Sequence, residues 1–429
     1  MDLISELKGK VGEQVTLGGW VYNFRSSGAI YFLQLRDGSG FIQCIVEKAK
    51  VAEKIWQDCE KITLESSVQV FGQVSEHPKK PGVYELQVTD LKIVQIAAEY
   101  PIGKKEHGPD FLLDNRHLWL RSGKQWAIQR VRNTIINATY EYFAKNNFIK
   151  IDSPILTPNA CEGTTELFEL NYFDWTKAYL TQSGQLYLEA AIAAHGRVFD
   201  FGPVFRAEKS KTRRHLIEFW MMDAEMAFCD HEGNLKIQEE LVTYIVKKVL
   251  ADCKVELEML ERDIAPLEKV EAPFYRLAHA DAIKKLRELG SDIKDDDDLG
   301  ADDETILTKL YDKPLFVERY PAAVKAFYMK PDPGDPIRVL NADLLAPEGY
   351  GEVIGGSQRE DDYDKLLVKI KEQGFNIEDW QWYLDSRKYG SVPHSGFGYG
   401  LERLVAWVCG LEHVRETIPF PRLINRIKP

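Results

Sequence analysis

Gly396, Gly398 and Gly400 alternate with Phe397 and Tyr399, and the residues that follow, Leu401-Glu402-Arg403-Leu404-Val405-Ala406-Trp407, turn helical. Strand side chains point alternately to the two faces of a sheet, so this run leaves one face nearly bare. A bare face lets a flat ligand or another backbone come close. Tight packing of a helix on a sheet is the simpler reading of the glycines alone. A second feature sharpens them. Phe201–Glu208 and Leu216–Glu225 read as two strands of an antiparallel hairpin, and the intervening stretch 206–215 holds five formal positives and one negative. Arginine suits phosphate, because its planar guanidinium donates two parallel hydrogen bonds to phosphate oxygens. The chain has no Gly-rich turn and lysine of a P-loop, so a nucleotide held here would lie on a sheet and not at a helix terminus.

Charge is uneven along the 429 residues. Residues 1–105 carry 13 basic and 13 acidic side chains, so the net −12 lies beyond them. Eight acids and one lysine crowd into 292–304, centred on Asp295-Asp296-Asp297-Asp298. That run reads most simply as a solvated loop; its acids lack the alternating spacing of a calcium loop. An acidic balance argues against unselective coating of nucleic acid while leaving room for local basic patches. No window of 18 uninterrupted apolar residues occurs, which argues against a transmembrane helix. Met1–Glu6 lacks the basic and apolar regions of a signal peptide. Six scattered cysteines without a Cys-x-x-Cys pair predict a reducing, cytoplasmic setting and no structural zinc.

The first hundred residues read as five strands: 15–21, 29–36, 41–46, 67–74 and 84–89, with a helix over 47–61. Asp37-Gly38-Ser39-Gly40 marks a hairpin. Five strands with a helix between the third and fourth is the order of an oligonucleotide-binding (OB) barrel, although other small barrels share the pattern. Residues 101–115, with Pro101, Gly103, Gly108 and Pro109, read as a linker. A helix over 123–147 should bury Ile128, Val131, Ile135, Ile136, Tyr140 and Phe143, and Phe148–Ile151 should form a strand ended at Ser153-Pro154.

These residues reach a family. F-R-A-E-K-S-K-T-R-R-H-L-I-E-F resembles motif 2 of the class II aminoacyl-tRNA synthetases, G-F-G-Y-G-L-E-R resembles motif 3, and N-F-I-K-I-D-S-P-I-L resembles motif 1, which in that class builds a dimer interface. With an N-terminal barrel, the order is similar to that of the aspartate, asparagine and lysine subgroup. E-G-T-T-E-L-F at 162–168, Q-S-G-Q-L-Y-L-E at 182–189 and G-E-V-I-G-G-S-Q-R at 351–359 resemble the asparaginyl-tRNA synthetases in particular. The resemblance implies an α+β chain: an OB-fold anticodon-binding domain over 1–100, a linker over 101–115, and a class II catalytic domain over 116–429, its antiparallel sheet flanked by helices. It implies that asparagine attacks the α-phosphate of ATP, giving asparaginyl-adenylate, and that tRNA(Asn) then takes the acyl group. Implied partners are asparagine, ATP, tRNA(Asn) and a second copy of the chain, with no membrane.

The roles carried over are these. Arg206 holds the α-phosphate and the substrate carboxylate. Glu208 accepts from the adenine amine, and Phe219 stacks on the adenine. Arg403 covers its other face, beside Gly400, and reaches the γ-phosphate. Arg214 and His215 touch the outer phosphates. Asp343 and Glu352 match the family's metal pair, which takes Mg2+. Asp343 lies in an apolar strand, where an idle carboxylate would be costly. Glu162 binds the α-amino group with help from Ser183 and Gln185. Arg359 donates to the side-chain oxygen of asparagine, and Asp223 accepts from its amide nitrogen. Arg25, Phe32 and Gln43 match the anticodon-reading set. The aspartate enzymes of the subgroup carry lysine where this chain has Leu188, and Asp223 would repel an acidic ligand. The main rival reading is an aspartyl enzyme, including one that charges both tRNAs. An RNA-binding module that has lost its chemistry and an amidating synthetase without a barrel are more distant rivals.

Overall fold

The structure is a computed structural model describing residues 1–103, 105–161 and 167–429. The chain divides into two compact units, Met1–Leu112 and Leu113–Pro429.

In the first unit, β1 (Gln14–Ser27), β2 (Ile30–Arg36), β3 (Phe41–Glu47), β4 (Ser67–Glu76) and β5 (Tyr84–Gln95) close into a barrel in the order β1-β2-β3-β5-β4. One helix, α1 (Glu53–Cys59), lies between β3 and β4; it is shorter than the 47–61 expected. Closure follows from β1, whose two halves pair antiparallel with β4 and with β2. Side chains alternate as the sequence implies. Tyr31, Leu33 and Leu35 of β2 are buried, while Phe32 and Gln34 stand half-buried on the outer face. Leu17, Val21, Leu33, Cys44, Val46 and Val70 fill the interior, and each large one contributes about 1.5–3 kcal/mol by leaving water. One ion pair is sealed in the wall. Arg36 donates through both terminal nitrogens to Glu65, at 3.0 and 2.8 Å.

The second unit is built on an eight-stranded sheet. In chain order its strands are β6 (Ile149–Lys150), β7 (Arg197–Phe205), β8 (Glu218–Ala227), β9 (Tyr275–Ala278), β10 (Leu315–Glu318), β11 (Asn341–Ala346), β12 (Gly351–Gln358) and β13 (His394–Gly400). Across the sheet they run β9-β10-β11-β12-β13-β8-β7-β6. The centre is antiparallel, and the outermost pair at each edge is parallel. Helices α2 (Gly123–Lys145), α3 (Gln185–His195), α4 (His231–Asp252), α5 (Ala301–Thr308) and α6 (Leu401–Cys409) accompany it. Ile128, Val131 and Ile135 of α2 and Leu235, Val242 and Ile245 of α4 join Leu404, Val405 and Trp407 of α6 in one core with the sheet.

Two local expectations shift. Helical phase puts Tyr142 and Phe143 inward, and Tyr140 lies exposed at the helix edge with its ring edge-on to Phe199. The strand expected over 148–151 pairs only at Ile149–Lys150, because Phe148 turns into the α2 core. The C-terminal run lies on the sheet: Ile217 N donates to Arg422 O at 2.9 Å, and Arg116 donates to the carbonyls of Glu416, Ile418 and Pro419.

The Arg36–Glu65 pair yields a stability test. Arg36→Met should destabilise the barrel by about 3–5 kcal/mol, because it strands a buried carboxylate. Adding Glu65→Leu should recover most of that loss. Urea unfolding of the full chain measures both, and an unchanged midpoint for Arg36→Met would mean that Glu65 is solvated.

Candidate active site

The cleft opens over the middle of the sheet, where β8, β13 and β12 lie side by side. Asp223 faces Gly398 and Glu225 faces Gly396 across the β8–β13 ladder. A Cβ at Gly398 would collide with Asp223 Oδ1, and one at Gly396 with Glu225 Oε1. The bare strand face therefore makes room for two carboxylates of the neighbouring strand. The helix that follows leaves Arg403 in its first turn, directed back over β12 at Glu352.

Two adjoining recesses share Arg206, Met221, Glu352 and Gly398. The first is lined by Arg206, Glu208, Arg214, His215, Phe219, Glu352, Gly400 and Arg403, so all eight residues expected at the nucleotide meet in one place. The Arg206 guanidinium lies 5.5 Å from the centre of the Phe219 ring. Arg403 donates to Glu352 Oε2 at 2.7 Å. Burial would weaken the positive charge on Arg403, but Glu352 and Glu304 hold its pKa above the usual value. Burial, followed by the nearby Arg403, pushes the His215 imidazole down. Its Nε2 lies 3.4 Å from Glu208. Arg214 is tied into α5, donating to Glu304 at 2.6 Å, to Thr305 at 2.6 Å and to Gly349 O at 2.9 Å.

The second recess is lined by Ser183, Gln185, Asp223, Arg359, Asp343 and Glu352 among others. Arg359 is 3% exposed. Its Nε donates to Glu225 Oε1 at 3.0 Å, a terminal nitrogen also donates to Glu225, and the other donates to Ser357 Oγ at 2.7 Å. A guanidinium has five N–H groups, so these contacts leave two for a ligand. Behind it, Glu189 is fully buried and held by Arg387, by Tyr383 Oη at 2.8 Å, by Gln185 Nε2 at 2.9 Å and by His394. Burial alone would raise the pKa of Glu189; Arg387, His394 and Arg359 outweigh it and hold the carboxyl below its usual range. Asp223 accepts from Ser183 Oγ and Gly184 N, both at 2.9 Å, yet burial pushes its pKa up to about 6. Leu188 packs against Ile192 and Val198, wholly buried in an apolar cluster. Glu162 lies outside the described residues.

Asp343 and Glu352 point at one spot. A Cβ at Gly355 would lie 3.1 Å from Glu352 Oε1 and 3.8 Å from Asp343 Oδ1. Burial raises the Asp343 carboxyl and Glu352 raises it further, against the pull of Lys325. Two convergent carboxylates with a space kept open between them fit a hard, oxygen-seeking divalent cation.

Several residues here escaped the sequence reading: Glu189, Glu225, Lys325 and Glu304. Two carried usable signals. Glu225 sits two residues beyond Asp223 on the same strand and hence on the same face. Glu189 follows Gln185 by four on a helix, again on one face. The acidic stretch is also more than a solvated loop. Asp295, Asp296 and Asp298 are exposed, but Asp298, at its middle, reaches Lys325, and Glu304, at its end, reaches Arg214 and the Glu352 amide.

On the barrel, Arg25 and Phe32 pair across β1 and β2, and the Arg25 guanidinium lies 4.4 Å over the Phe32 ring. Gln43 accepts from Arg25 at 3.4 Å and donates to Glu85 at 2.7 Å. The three residues expected to read RNA thus form one patch on the outer face.

The Asp223 environment makes a pH prediction. A carboxyl whose folded pKa is raised adds stability below about pH 4, and that contribution disappears as pH rises through about 6. The stability of the native chain relative to Asp223→Asn should therefore fall by about 3 kcal/mol between about pH 4 and 7. Parallel denaturation profiles for the two proteins would show that the carboxyl is not held up.

Comparison with known proteins agrees with this geometry. Residues 108–424 match the family described as tRNA synthetases class II (D, K and N), and residues 15–94 match the OB-fold nucleic acid binding domain. The asparaginyl-tRNA synthetase from Pyrococcus horikoshii, solved with asparaginyl-adenylate, is 48% identical over 98% of each chain with a TM-score of 0.94. The asparaginyl-tRNA synthetase from Entamoeba histolytica, also with asparaginyl-adenylate, is 34% identical over 97% of each chain with a TM-score of 0.88. The aspartyl tRNA synthetase from Entamoeba histolytica is 30% identical, covering 100% of this chain and 92% of that one, with a TM-score of 0.82. Three-motif sheet, OB barrel and these likenesses agree: the chain belongs to the class II aminoacyl-tRNA synthetases of the aspartate, lysine and asparagine group, in its asparaginyl-tRNA synthetase family.

Proposed function

We propose that the chain attaches asparagine to tRNA(Asn) in two steps, through asparaginyl-adenylate, with release of pyrophosphate and then AMP. The observation that carries the choice of amino acid is the arginine–carboxylate arrangement of the second recess. A neutral amide presents an acceptor oxygen and a donor nitrogen. Arg359, fixed by Glu225 and Ser357, offers N–H groups to the oxygen. Asp223, lining the same recess, offers an acceptor to the nitrogen. An aspartate side chain would set a carboxylate against Asp223, with Glu225 and Glu189 close behind, and the resulting repulsion rejects it. The adenylate complexes of the two asparaginyl relatives favour the same reading.

In the first step Arg206 holds the α-phosphate and the substrate carboxylate, bringing nucleophile and phosphorus into line. Glu208 accepts from the adenine amine, and the ring lies between Phe219 and Arg403 beside Gly400. Arg403 and His215 reach the outer phosphates, and Arg214 joins them by exchanging Glu304 for phosphate oxygens. Ser183 and Gln185 border the α-amino group with Glu162. Asp343 and Glu352 would hold Mg2+, which when bound neutralises charge on phosphate oxygens. Arg214 and Arg403 are preorganised by Glu304 and Glu352, so little rearrangement of these two accompanies the build-up of negative charge. The barrel patch of Arg25, Phe32 and Gln43 reads the anticodon, an aromatic platform with an oriented amide suiting an unstacked base. We assign the barrel unit and the catalytic unit to these two tasks. Ile149, Ile155 and Leu156, 48%, 43% and 45% exposed at the β6 edge and just after it, support a dimer of two copies through motif 1. Six scattered cysteines without a Cys-x-x-Cys pair are in keeping with a reducing, cytoplasmic setting; among the described residues no helix is long and apolar enough to cross a membrane.

ATP–pyrophosphate exchange without tRNA tests the reaction. Exchange should occur with asparagine and not with aspartate; equal exchange with aspartate would select the aspartyl reading. Arg359→Ala should reduce kcat/KM for asparagine by about 2–4 kcal/mol in transition-state terms, because it leaves buried carboxylates and the substrate amide unpaired. Gln43→Ala should lower tRNA charging while exchange persists, and equal loss of both activities would remove the barrel patch from tRNA recognition.

A further inference from the structure

Lys325 brings a positive charge into the cleft that none of the steps above uses. It follows the short turn Ala322–Val324, and its side chain is 12% exposed. The ammonium lies 2.9 Å from Asp343 Oδ2 and 3.1 and 3.3 Å from the two oxygens of Asp298. It also lies 3.8 Å from the centre of the Tyr320 ring. Tyr320 is itself backed by His279, at 4.5 Å between ring centres, and the His279 Nε2 lies 3.0 Å from the Asp297 carbonyl oxygen. Lys325 is thus gripped by Asp298 and Tyr320 and presented to Asp343.

Asp343 and Glu352 converge on the open spot at Gly355, and like charges so close repel unless something positive stands by. Arg403 serves Glu352, and Lys325 serves Asp343. Around these acids Asp298, Glu304, Asp343 and Glu352 already have cationic partners in Lys325, Arg214 and Arg403. We propose that Lys325 is the resident counter-ion of Asp343, holding that carboxylate in place while making divalent-cation binding depend on the arriving triphosphate. The proposal rests on Asp343 and Glu352 being the metal acids. A divalent ion alone meets the repulsion of a half-buried ammonium, which salt screens poorly. A divalent ion accompanied by phosphates brings the negative charge that offsets it. Lys325 is on this account a positioning residue, and its effect is largest when nucleotide is absent.

The test is Mn2+ binding to the nucleotide-free full-length protein, read from the loss of the free-Mn2+ electron paramagnetic resonance signal. Lys325→Met should bind Mn2+ at least about tenfold more tightly than the native chain. Lys325→Arg, which keeps the charge, should stay near native, and Lys325→Met with Asp343→Asn should return to weak binding. Lys325→Gln gives the same comparison if thermal melting shows Lys325→Met to be unfolded. Equal Mn2+ affinity in the neutral variants and the native chain overturns the proposal. So does unchanged Mn2+ affinity accompanied by weaker binding of a non-hydrolysable ATP analogue, which would make Lys325 a phosphate ligand. Asp343→Asn alone, assayed for Mn2+ binding with that analogue present, separates the two layers. If it binds Mn2+ as the native chain does, the metal assignment itself falls; if it binds less while the Lys325 variants change nothing, only the counter-ion role falls.

Discussion

A buried guanidinium in the cleft, Arg359 on Glu225 with Glu189 and Arg387 behind it, is the contact on which the proposed amino-acid site depends. Taking such charges out of water is expensive, and only near-complete pairing makes it tolerable. The pairing here is dense. Glu189 is held by an arginine, a tyrosine hydroxyl, an amide and a histidine, and Arg359 by a carboxylate and a serine hydroxyl. A network of this kind cannot drift without stranding one of its members, so the N–H groups it leaves for a ligand are fixed in direction. On the proposed reading, the pocket selects because its polarity is settled before any substrate arrives.

The nucleotide half repeats the device with different elements. Arg206 comes from the end of β7, Arg214 from the hairpin loop, and Arg403 from the first turn of α6. Four antiparallel strands, β8, β13, β12 and β11, bring their partners within reach. Glu352 serves Arg403, and Glu304 serves Arg214 while also accepting from the Glu352 amide. Two of these three cations, Arg214 and Arg403, are thus paired with carboxylates. On the proposed reading, phosphate binding at these two exchanges one set of oxygens for another, which keeps reorganisation small. The glycines of β13 are part of the same economy of space, because a side chain at Gly396 or Gly398 would collide with the carboxylates of β8.

What could be read from sequence follows the range of the interaction concerned. The hairpin of β7 and β8, the glycine strand with its helix, and the five-stranded barrel were legible because each depends on local alternation and turn chemistry. That eight residues would gather in one recess was legible because two motifs carry nearly all of them. Glu225 was passed over although it shares a face with Asp223, since nothing local distinguishes an acid that lines a pocket from one that grips an arginine 134 positions away. Lys325 and Asp298 meet across 27 residues, and Glu304 meets Arg214 across 90. A stretch of eight acids reads as solvent-exposed by composition, and no local signal says which two will be drawn into a cleft by distant cations. Tyr140 misled for a smaller reason: apolar spacing near four admits two helical phases, and the tertiary contacts of Tyr142 chose between them.

An acidic protein that handles a polyanion cannot rely on bulk charge, because net repulsion would oppose every encounter. The barrel is neutral by count, and its candidate reading patch holds a single arginine, already stacked on Phe32 and touching Gln43. Glu85, 4% exposed, accepts from the Gln43 amide nitrogen and so settles which way that amide faces. The amide oxygen is left on the side of Arg25, where an unstacked base would lie over the ring. Glu225 does the corresponding thing for Arg359, fixing some N–H groups so that the rest have one direction. In both units a buried carboxylate orients a flexible polar side chain, and on the proposed reading the N–H or C=O groups left over do the recognising. Selectivity obtained this way comes from hydrogen-bond geometry and not from field strength, which is what a chain of net charge −12 requires if it is to choose a neutral amino acid and hold one RNA among many.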